Sequence, residues 1–248
     1  MGYYIISGAG SGIGRAIAIK LSSNGNNVIL IGRKEGKLTE TMALLTKGNH
    51  LYFVADVTDI ERLNAVAKRM EGLEIDAIIA NAGLGGENYW GLNDRWAEII
   101  NTNLTGTYNF VNTFLSNLKT ADKAKHIIIT SSVLARLGVA NYSAYCASKA
   151  GLLGLMRAWA VQYAPANILV NAICPGWVDT DMANDGLQGI ADNIGISKQA
   201  FYDIAMKSVP LGKMSKPEEI ADLVNYLINQ SSITGQALDI NCGSVMNS

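Results

Sequence analysis

The sequence has 248 residues, of which 20 are Lys or Arg and 21 are Asp or Glu, so the formal net charge is −1. A chain with so little net charge and no run of like charges lacks the electrostatic pattern of a nucleic-acid-binding protein. Hydrophobic residues make up 49% of the sequence, enough for the core of one large α/β domain spanning residues 1–248.

The sequence contains neither a signal-peptide pattern nor a run of about 18 apolar residues, so we expect a cytoplasmic protein with no membrane association. The three cysteines, Cys146, Cys174 and Cys242, are far apart and form no Cys-x-x-Cys pattern. This spacing argues against a disulfide framework and against a metal site, and we interpret all three as buried thiols.

The first predicted elements are an apolar strand at residues 3–7, a glycine-rich loop and an amphipathic helix that ends near Asn24-Gly25. Glycines at such a junction let the backbone approach a pyrophosphate, whose charge the helix N-terminus stabilises. A second strand follows at residues 28–31, as in a dinucleotide-binding unit. The pattern predicts that the dinucleotide is bound by Gly8, Gly10, Ser11, Gly12, Ile13 and Gly14.

The residues after the second strand should select between the two nicotinamide cofactors. They read Ile31-Gly32-Arg33-Lys34-Glu35, with no acidic residue at the turn and two cations directly after it. Because an arginine fork suits a 2′-phosphate, we favour NADP. In the alternative interpretation, Arg33 stacks on adenine and Glu35 binds the ribose of NAD.

A third strand is predicted at residues 51–54, followed by Asp56. The Asp56 carboxylate either accepts a hydrogen bond from the exocyclic amine of adenine or forms a turn with Thr58 and Asp59 at the start of the next helix. The fourth strand, residues 77–80, ends in Asn81-Ala82-Gly83. Small residues there would let the backbone pass under the cofactor ribose, while Asn81 ties neighbouring strands together.

The unbroken alternation of strands and helices predicts an α/β fold, a doubly wound parallel sheet with helices on both faces. Its later part contains Tyr145 and Lys149, four residues apart on one face of a long helix. At about 4 Å and an effective dielectric of about 20, the ammonium would favour the phenolate by roughly 4 kcal/mol and lower the tyrosine pKa by about three units. Ser132 follows an apolar strand, at the sheet edge where such folds place their chemistry.

Tyr145 and Lys149 also have a simpler interpretation, a tyrosine packed on a lysine stem, and Ser132 could be only a turn residue.

Further along, Pro175-Gly176 ends the strand at residues 168–173 and turns the chain. Taken together, the motifs resemble the short-chain dehydrogenase/reductase family over essentially the whole chain. The motifs that carry the resemblance are the loop at residues 7–14, Asp56, Asn81-Ala82-Gly83, Asn103 in Asn-Leu-Thr-Gly, Ser132, Tyr145-x-x-x-Lys149 and Pro175-Gly176-Trp177-Val178-Asp179-Thr180.

The resemblance implies a Rossmann-type domain with about seven strands and a catalytic set of Asn103, Ser132, Tyr145 and Lys149. In this family Tyr145 would be the general acid/base, Ser132 would orient the substrate carbonyl, and Lys149 would bind the nicotinamide ribose and lower the tyrosine pKa. Asn103 would hold a water of the proton relay, or else mark a helix kink. The further cofactor contacts implied are Asp56, Val57, Asn81, Ala82, Gly83, Pro175, Gly176, Val178 and Thr180.

Thr180 could instead cap the following helix. Between Asp181 and Met214 the pattern changes to a glycine-punctuated, loosely amphipathic stretch, which predicts a mobile substrate lid at about residues 181–214. The pocket walls expected beside it are Leu84, Leu134, Tyr142, Trp177 and Met182. After the last strand comes Asn241-Cys242-Gly243, where the family often has a second glycine, so the local turn is not predicted.

The C-terminal patterns are similar to 3-oxoacyl-carrier-protein and polyketide-type ketoreductases. They favour NADPH-dependent reduction of a ketone such as a 3-oxoacyl thioester, either free or bound to a carrier. The alternatives are an NAD-dependent secondary-alcohol or hydroxyacyl dehydrogenase and a dinucleotide-binding sensor without catalysis. The resemblance also implies a homotetramer or a dimer formed through the long central helices and the C-terminal strand.

Overall fold

The computed structural model describes residues 2–118 and 123–246. Within them lies one seven-stranded sheet in which every neighbouring pair is parallel. The strands are β1 (Tyr3–Ser7), β2 (Asn27–Gly32), β3 (Leu51–Val54), β4 (Ala77–Ala80), β5 (Lys125–Thr130), β6 (Ile168–Pro175) and β7 (Ala237–Ile240).

The helices alternate with these strands, as the sequence predicts. They are α1 (Gly12–Ser23), α2 (Glu35–Ala43), α3 (Ile60–Arg69), α4 (Trp96–Ile100), α5 (Gly106–Phe114), α6 (Ser143–Tyr163), α7 (Asp181–Ile194), α8 (Lys198–Lys207) and α9 (Pro217–Leu227). None of the helices in the described ranges is long and apolar enough to cross a membrane.

The order of the strands is β3-β2-β1-β4-β5-β6-β7, which confirms the predicted doubly wound, Rossmann-type fold. From β1 the chain adds β2 and β3 toward one edge of the sheet, and from β4 it adds β5, β6 and β7 toward the other edge. The two directions separate between β1 and β4, and in such sheets ligands bind at the carboxyl ends of the strands at this switch point. The glycine loop after β1 and Asn81 after β4 both lie there.

The sheet is covered on both faces, which explains why its strands are continuous apolar runs instead of alternating ones. One face packs against α3, α5 and α6, with Phe110, Phe114 and Met156 in its core. The other face packs against α1 and α9, with Ile17 and Val224 buried. The catalytic candidates on α6 are thus carried by a helix whose apolar side is held in the core.

The helical stretch that begins at residue 96 is interrupted. Between α4 and α5, residues Asn101–Thr105 form a π-helical turn, and short 3₁₀ turns follow α5 and α6. A π turn inserts an extra residue and is frequent at functional sites. Asn103 lies at its centre, and a π turn is one of the local causes of a helix kink.

The cysteines correct one prediction. Cys174 is a buried thiol on β6, but Cys146 and Cys242 are partly exposed, so the expectation of three buried thiols is wrong for two of them. Cys146 lies in the first turn of α6, with its Sγ 3.6 Å from the Leu137 oxygen. Cys242 lies in a turn with φ +53°, a left-handed conformation unusual for a residue with a side chain.

Candidate active site

The glycine loop fits tightly between β1, β4 and the start of α1. A Cβ on Gly8, whose φ is +66°, would lie 2.9 Å from the Ala82 Cα, and one on Gly14 would lie 2.3 Å from the Gly8 oxygen. The Arg15 side chain, on α1, donates a hydrogen bond to the Gly10 oxygen of the loop at 2.6 Å. The backbone therefore runs where only glycine fits, and the amino end of α1 opens toward the sheet edge.

Asn81 ties three strands together, as predicted. Its backbone N–H donates to Ser7 Oγ at 3.0 Å and its side-chain amide donates to the Ser7 oxygen at 3.2 Å. On its other side, Asn81 Oδ1 accepts from Thr130 Oγ1 at 3.2 Å. The ends of β1, β4 and β5 are thereby fixed to one another at the switch point.

At the outer side of the cleft, Asp56 is used as the helix-start interpretation predicts. Its Oδ1 accepts from the backbone N–H and the hydroxyl of Thr58, at 2.9 and 2.8 Å. Its Oδ2 lies 3.8 Å from Arg33 Nη1, and both side chains line a cavity of about 290 Å³. Glu35, the alternative ribose ligand, accepts a hydrogen bond from Tyr52 OH at 3.2 Å. Arg33 thus borders the cavity, whereas the Glu35 carboxylate is engaged by β3.

The four catalytic candidates converge at the carboxyl ends of β4 and β5. Ser132 lies beside the Tyr145 phenol and acts to lower its pKa, and the Ser132 hydroxyl accepts from the Leu134 N–H at 3.1 Å. Lys149 Nζ lies 5.5 Å from the centre of the Tyr145 ring and donates to the Thr130 oxygen at 2.9 Å. Ser132 and Lys149 are buried, whereas Tyr145 is partly exposed.

The pKa of Tyr145 departs from the sequence-based expectation. Burial raises the pKa of the phenol, and the hydrogen bond from Ser132 only partly opposes this. Burial also lowers the pKa of Lys149 to about 8. The expected net lowering of the tyrosine pKa is therefore not found in the structure, because loss of hydration outweighs the polar neighbours of the phenol.

Asn103 is fully buried, and both polar atoms of its side-chain amide are engaged. Its Oδ1 accepts from the Leu84 N–H at 2.7 Å, and its Nδ2 donates to the Leu84 oxygen at 2.9 Å and to Ser148 Oγ at 3.1 Å. The Asn103 main-chain oxygen accepts from Thr107 Oγ1 at 2.8 Å. The relay water stays a prediction.

Pro175, Gly176, Val178 and Thr180 lead from β6 to α7 beside the glycine loop. A Cβ on Gly176 would lie 2.9 Å from the Asn241 Cα, so glycine is needed against β7. Thr180 caps α7 by accepting from the Ala183 N–H at 3.3 Å, which matches the capping interpretation. Its Cγ2 would lie only 3.1 Å from a Cβ on Gly12, so the cap also sits against the glycine loop.

The polar contacts made by residues 84–95 were not predicted from the sequence. Glu87 Oε2 accepts from Asn193 Nδ2 on α7 and from Tyr89 OH, both at 2.8 Å. Asn88 contacts the start of α6. Since this segment follows no periodic pattern, the sequence held no signal for these contacts. Ser148 was also missed, although a polar residue on the buried face of α6 was a usable sign.

Of the expected wall residues, Tyr142 lies beside Tyr145 and Met182 lies beside Gly85. The Tyr142 ring is perpendicular to that of Tyr145, with centres 6.5 Å apart. Met182, in the first turn of α7, comes within 3.4 Å of where a Cβ on Gly85 would lie. In residues 2–118 and 123–246, no group of three or more His, Cys, Asp or Glu side chains could hold a metal ion.

A parallel sheet with a glycine loop at its switch point, and a Ser–Tyr–Lys cluster beside it, defines a Rossmann-type oxidoreductase. The chain belongs to the short-chain dehydrogenase family, because the model of that family, described as short chain dehydrogenase, matches residues 3–190. It is an enzyme that uses NAD(P) to interconvert a ketone and a secondary alcohol, with ketone reduction the favoured reaction.

Several relatives align over almost the full chain. A 3-oxoacyl-[acyl-carrier-protein] reductase of Vibrio harveyi is 32% identical over 251 residues, covering 98% of this chain and 96% of its own. A human (3R)-3-hydroxyacyl-CoA dehydrogenase is 27% identical over 258 residues, covering 98% and 95%. The crystal structure of a single-substitution variant of actinorhodin polyketide ketoreductase with NADPH is similar, with a TM-score of 0.91, 29% identity and coverage of 98% and 97%.

Proposed function

We propose that the enzyme reduces a ketone with NADPH, and that Tyr145 is the proton donor. The observation that carries this proposal is the placement of Ser132 beside the Tyr145 phenol, with Lys149 Nζ 5.5 Å from the centre of the tyrosine ring, at the carboxyl end of β5. A phenol and a hydroxyl side by side can both contact one carbonyl oxygen.

The residues present fit a dinucleotide. The loop after β1 follows a path that a Cβ at Gly8 or Gly14 would block, and such a path lets backbone amides approach a pyrophosphate. We assign the cofactor to this loop together with Arg33, Asp56, Val57, the Asn81–Gly83 turn and the chain from Pro175 to Thr180. The nicotinamide, when bound, supplies the hydride.

The protein groups handle the charge that develops on the carbonyl oxygen. Ser132 donates a hydrogen bond to that oxygen, and Tyr145 transfers its phenolic proton to it. Because burial raises the tyrosine pKa, the proton is present on Tyr145 at neutral pH. Lys149 lies beside the phenolate that remains and stabilises it, while its own bond to the Thr130 oxygen keeps the ammonium in place.

NADP is the preferred cofactor in this proposal. Arg33 borders the cavity at the outer side of the cleft, where its guanidinium can turn from Asp56 to a 2′-phosphate. The Glu35 carboxylate, which would bind the ribose of NAD, is engaged by Tyr52. The related polyketide ketoreductase was crystallised with NADPH.

For the substrate, we propose a 3-oxoacyl thioester, free or attached to a carrier. The support is the similarity to a 3-oxoacyl-[acyl-carrier-protein] reductase together with the aromatic ring of Tyr142 beside Tyr145. We further propose that residues 1–248 form one domain with its lid at about residues 181–214. In that segment, α7 contacts the rest of the cleft through Met182 and Asn193.

The proposal is tested by titrating NADPH and NADH into the purified protein and following nicotinamide fluorescence, beside a panel of ketones and 3-oxoacyl thioesters. We expect tighter binding of NADPH and its oxidation by a panel member. Tighter binding of NADH would instead favour an NAD-dependent alcohol or hydroxyacyl dehydrogenase. Binding without turnover on any carbonyl of the panel would contradict the proposed reaction.

We also propose a cytoplasmic homotetramer or dimer. An apolar groove of about 570 Å³ lies on the outer side of α6, and Leu104, Tyr108, Gly151, Gly154, Leu155 and Ala158 line it. Exposed apolar surface of this kind is typical of an interface. Sedimentation of the wild type and of Leu155→Glu tests the assembly, since a charge in the groove should yield a smaller species.

A further inference from the structure

Asn88, in the loop between β4 and α4, makes an unusual contact with the helix that carries Tyr145. Its side chain is 8% exposed. Its Oδ1 accepts from the Ala144 N–H at 2.9 Å and from Ser143 Oγ at 3.1 Å, both in the first turn of α6. The residue at the N-cap position of α6, Tyr142, makes no side-chain cap. Asn88 therefore supplies, from a distant segment, the acceptor that a helix N-terminus requires.

Two further groups of Asn88 are also held by hydrogen bonds. Its backbone N–H donates to the Asn141 oxygen at 2.7 Å, and its Nδ2 donates to Asp94 Oδ1 at 3.1 Å. Asn141 directly precedes Tyr142 and has a left-handed φ of +63°. Asn88 thus holds the chain on both sides of Tyr142, just before Tyr145.

We propose that Asn88 is a positioning residue for Tyr145, which holds the first turn of α6 so that the phenol meets Ser132. This inference rests on the proposed function, in which Tyr145 donates the proton. Asn88 acts only through the helix, since its polar side-chain atoms bond to Ser143, Ala144 and Asp94. A displacement of a catalytic group by about 1 Å can lower a rate by roughly a hundredfold.

The first test compares Asn88→Ala with Asn117→Ala. Asn117 is a matched control because it is also 8% exposed and donates to two main-chain oxygens, those of Met70 and Leu73, away from α6. Hydrogen–deuterium exchange of the full-length proteins measures how well the backbone amides at the start of α6 are protected. We expect exchange in residues 142–148 to become about fivefold faster or more in N88A and to stay unchanged in N117A.

The second test measures turnover of ethyl 3-oxobutanoate with NADPH. We expect kcat of N88A to fall about tenfold or more, while the Kd for NADPH stays within about twofold. N117A should keep the wild-type kcat even if its Tm falls. A purely structural role of Asn88 would lower the Tm and leave kcat of the folded enzyme unchanged.

A third test exchanges the carboxylate and the amide between positions 88 and 94, which keeps the total charge and should restore activity lost in a single variant. In the wild type, Asn88 donates a hydrogen bond to Asp94. Asn88→Asp alone replaces this donor with a second carboxylate, and we expect the repulsion to lower kcat. The double variant N88D/D94N restores a donor and an acceptor at this contact and should recover most of the activity. If N88A does not fold, the comparison of N88D with the double variant decides, and equal activities in those two would overturn the proposal.

The outcomes separate the two proposals. Unchanged exchange in residues 142–148 of N88A overturns the positioning role, with or without turnover. Faster exchange with an unchanged kcat overturns it as well. If the wild type turns over no ketone, the proposed function fails, while faster exchange in N88A still supports the holding of α6 by Asn88.

Discussion

Tyr145 holds its proton more tightly than a free tyrosine because burial raises the pKa of its phenol. A phenol that stays protonated at neutral pH has a proton to donate, and although burial makes it a weaker acid, a developing alkoxide is basic enough to take that proton. Ser132, which lowers the pKa through its hydrogen bond, limits how far burial raises it.

Tyr145→Phe tests the role of the phenol. The variant keeps the ring that contacts Tyr142 and loses only the hydroxyl. We expect turnover to fall about 10²- to 10⁴-fold, the usual contribution of a general acid, with NADPH affinity nearly unchanged. Tyr163→Phe, at the far end of α6, is the matched control and should keep wild-type turnover. A Y145F variant with half the wild-type activity would show that another group supplies the proton.

Arg33→Ala tests the choice of cofactor. Loss of a charge-assisted contact with a 2′-phosphate should weaken NADPH binding about 10- to 100-fold and change NADH binding by less than about threefold. Arg69→Ala removes the same charge from the far end of α3, where it lies over the Phe53 ring, and serves as the control. Equal losses for the two cofactors in R33A would contradict the assignment of Arg33, and fluorescence titration distinguishes the results.

The loop between β1 and α1 shows how packing restricts sequence. Gly14 has no room for a side chain, because a Cβ would come within 2.7 Å of Asn81 Nδ2 as well as 2.3 Å of the Gly8 oxygen. Gly36, in α2, has nothing within 4 Å of its Cβ position. The two glycines therefore differ in environment although each lies in the first turn of a helix that follows a strand.

We expect Gly14→Ala to weaken NADPH binding at least about tenfold, because the added methyl group must displace the loop and the Asn81 contact. Gly36→Ala should leave NADPH binding unchanged and stabilise the protein by at most about 1 kcal/mol, since alanine is the better helix former. Isothermal titration calorimetry and thermal unfolding of both variants measure these effects. Wild-type affinity in G14A would contradict the assignment of the loop to the pyrophosphate.

One buried histidine couples the stability of the folded protein to pH. His126 lies on β5 at the amino end of the sheet, away from the candidate site, and is 4% exposed. Burial lowers its pKa to about 4, although the nearby Asp76 carboxylate opposes this change. Among the described residues, its Nδ1 has no hydrogen-bond partner, so protonation would bury a poorly compensated charge.

The sign of the effect follows from where the proton binds. The unfolded chain binds a proton at His126 near pH 6.5, whereas the folded protein does so only near pH 4, so stability falls as the pH decreases between these values. We expect this residue to account for a loss of roughly 3 kcal/mol in the free energy of unfolding. Denaturant unfolding at several pH values should show that His126→Leu lacks this part of the acid dependence; identical slopes in both proteins would contradict it.

Local patterns along the chain were enough to predict the class of fold and most of the site candidates. Strand-length apolar runs alternate with amphipathic helices, and this periodicity predicts a parallel sheet covered on both faces, as found. The glycine loop, Asn81, Ser132, Tyr145 and Lys149 could be named because each is part of a short motif. The tie made by Asn81 was predicted as well, because an amide at the end of a strand has few other partners.

How these residues influence one another depends on the folded arrangement. The pKa of Tyr145 depends on burial, which no spacing along one helix reveals. Several contacts join residues 17 or more positions apart in the chain. They are the hydrogen bonds of Tyr52 to Glu35, of Leu84 to Asn103 and of Ala144, at the start of α6, to Asn88. Periodicity and motifs report contacts between near neighbours in the chain, whereas these bonds arise only when distant segments meet at the edge of the folded sheet.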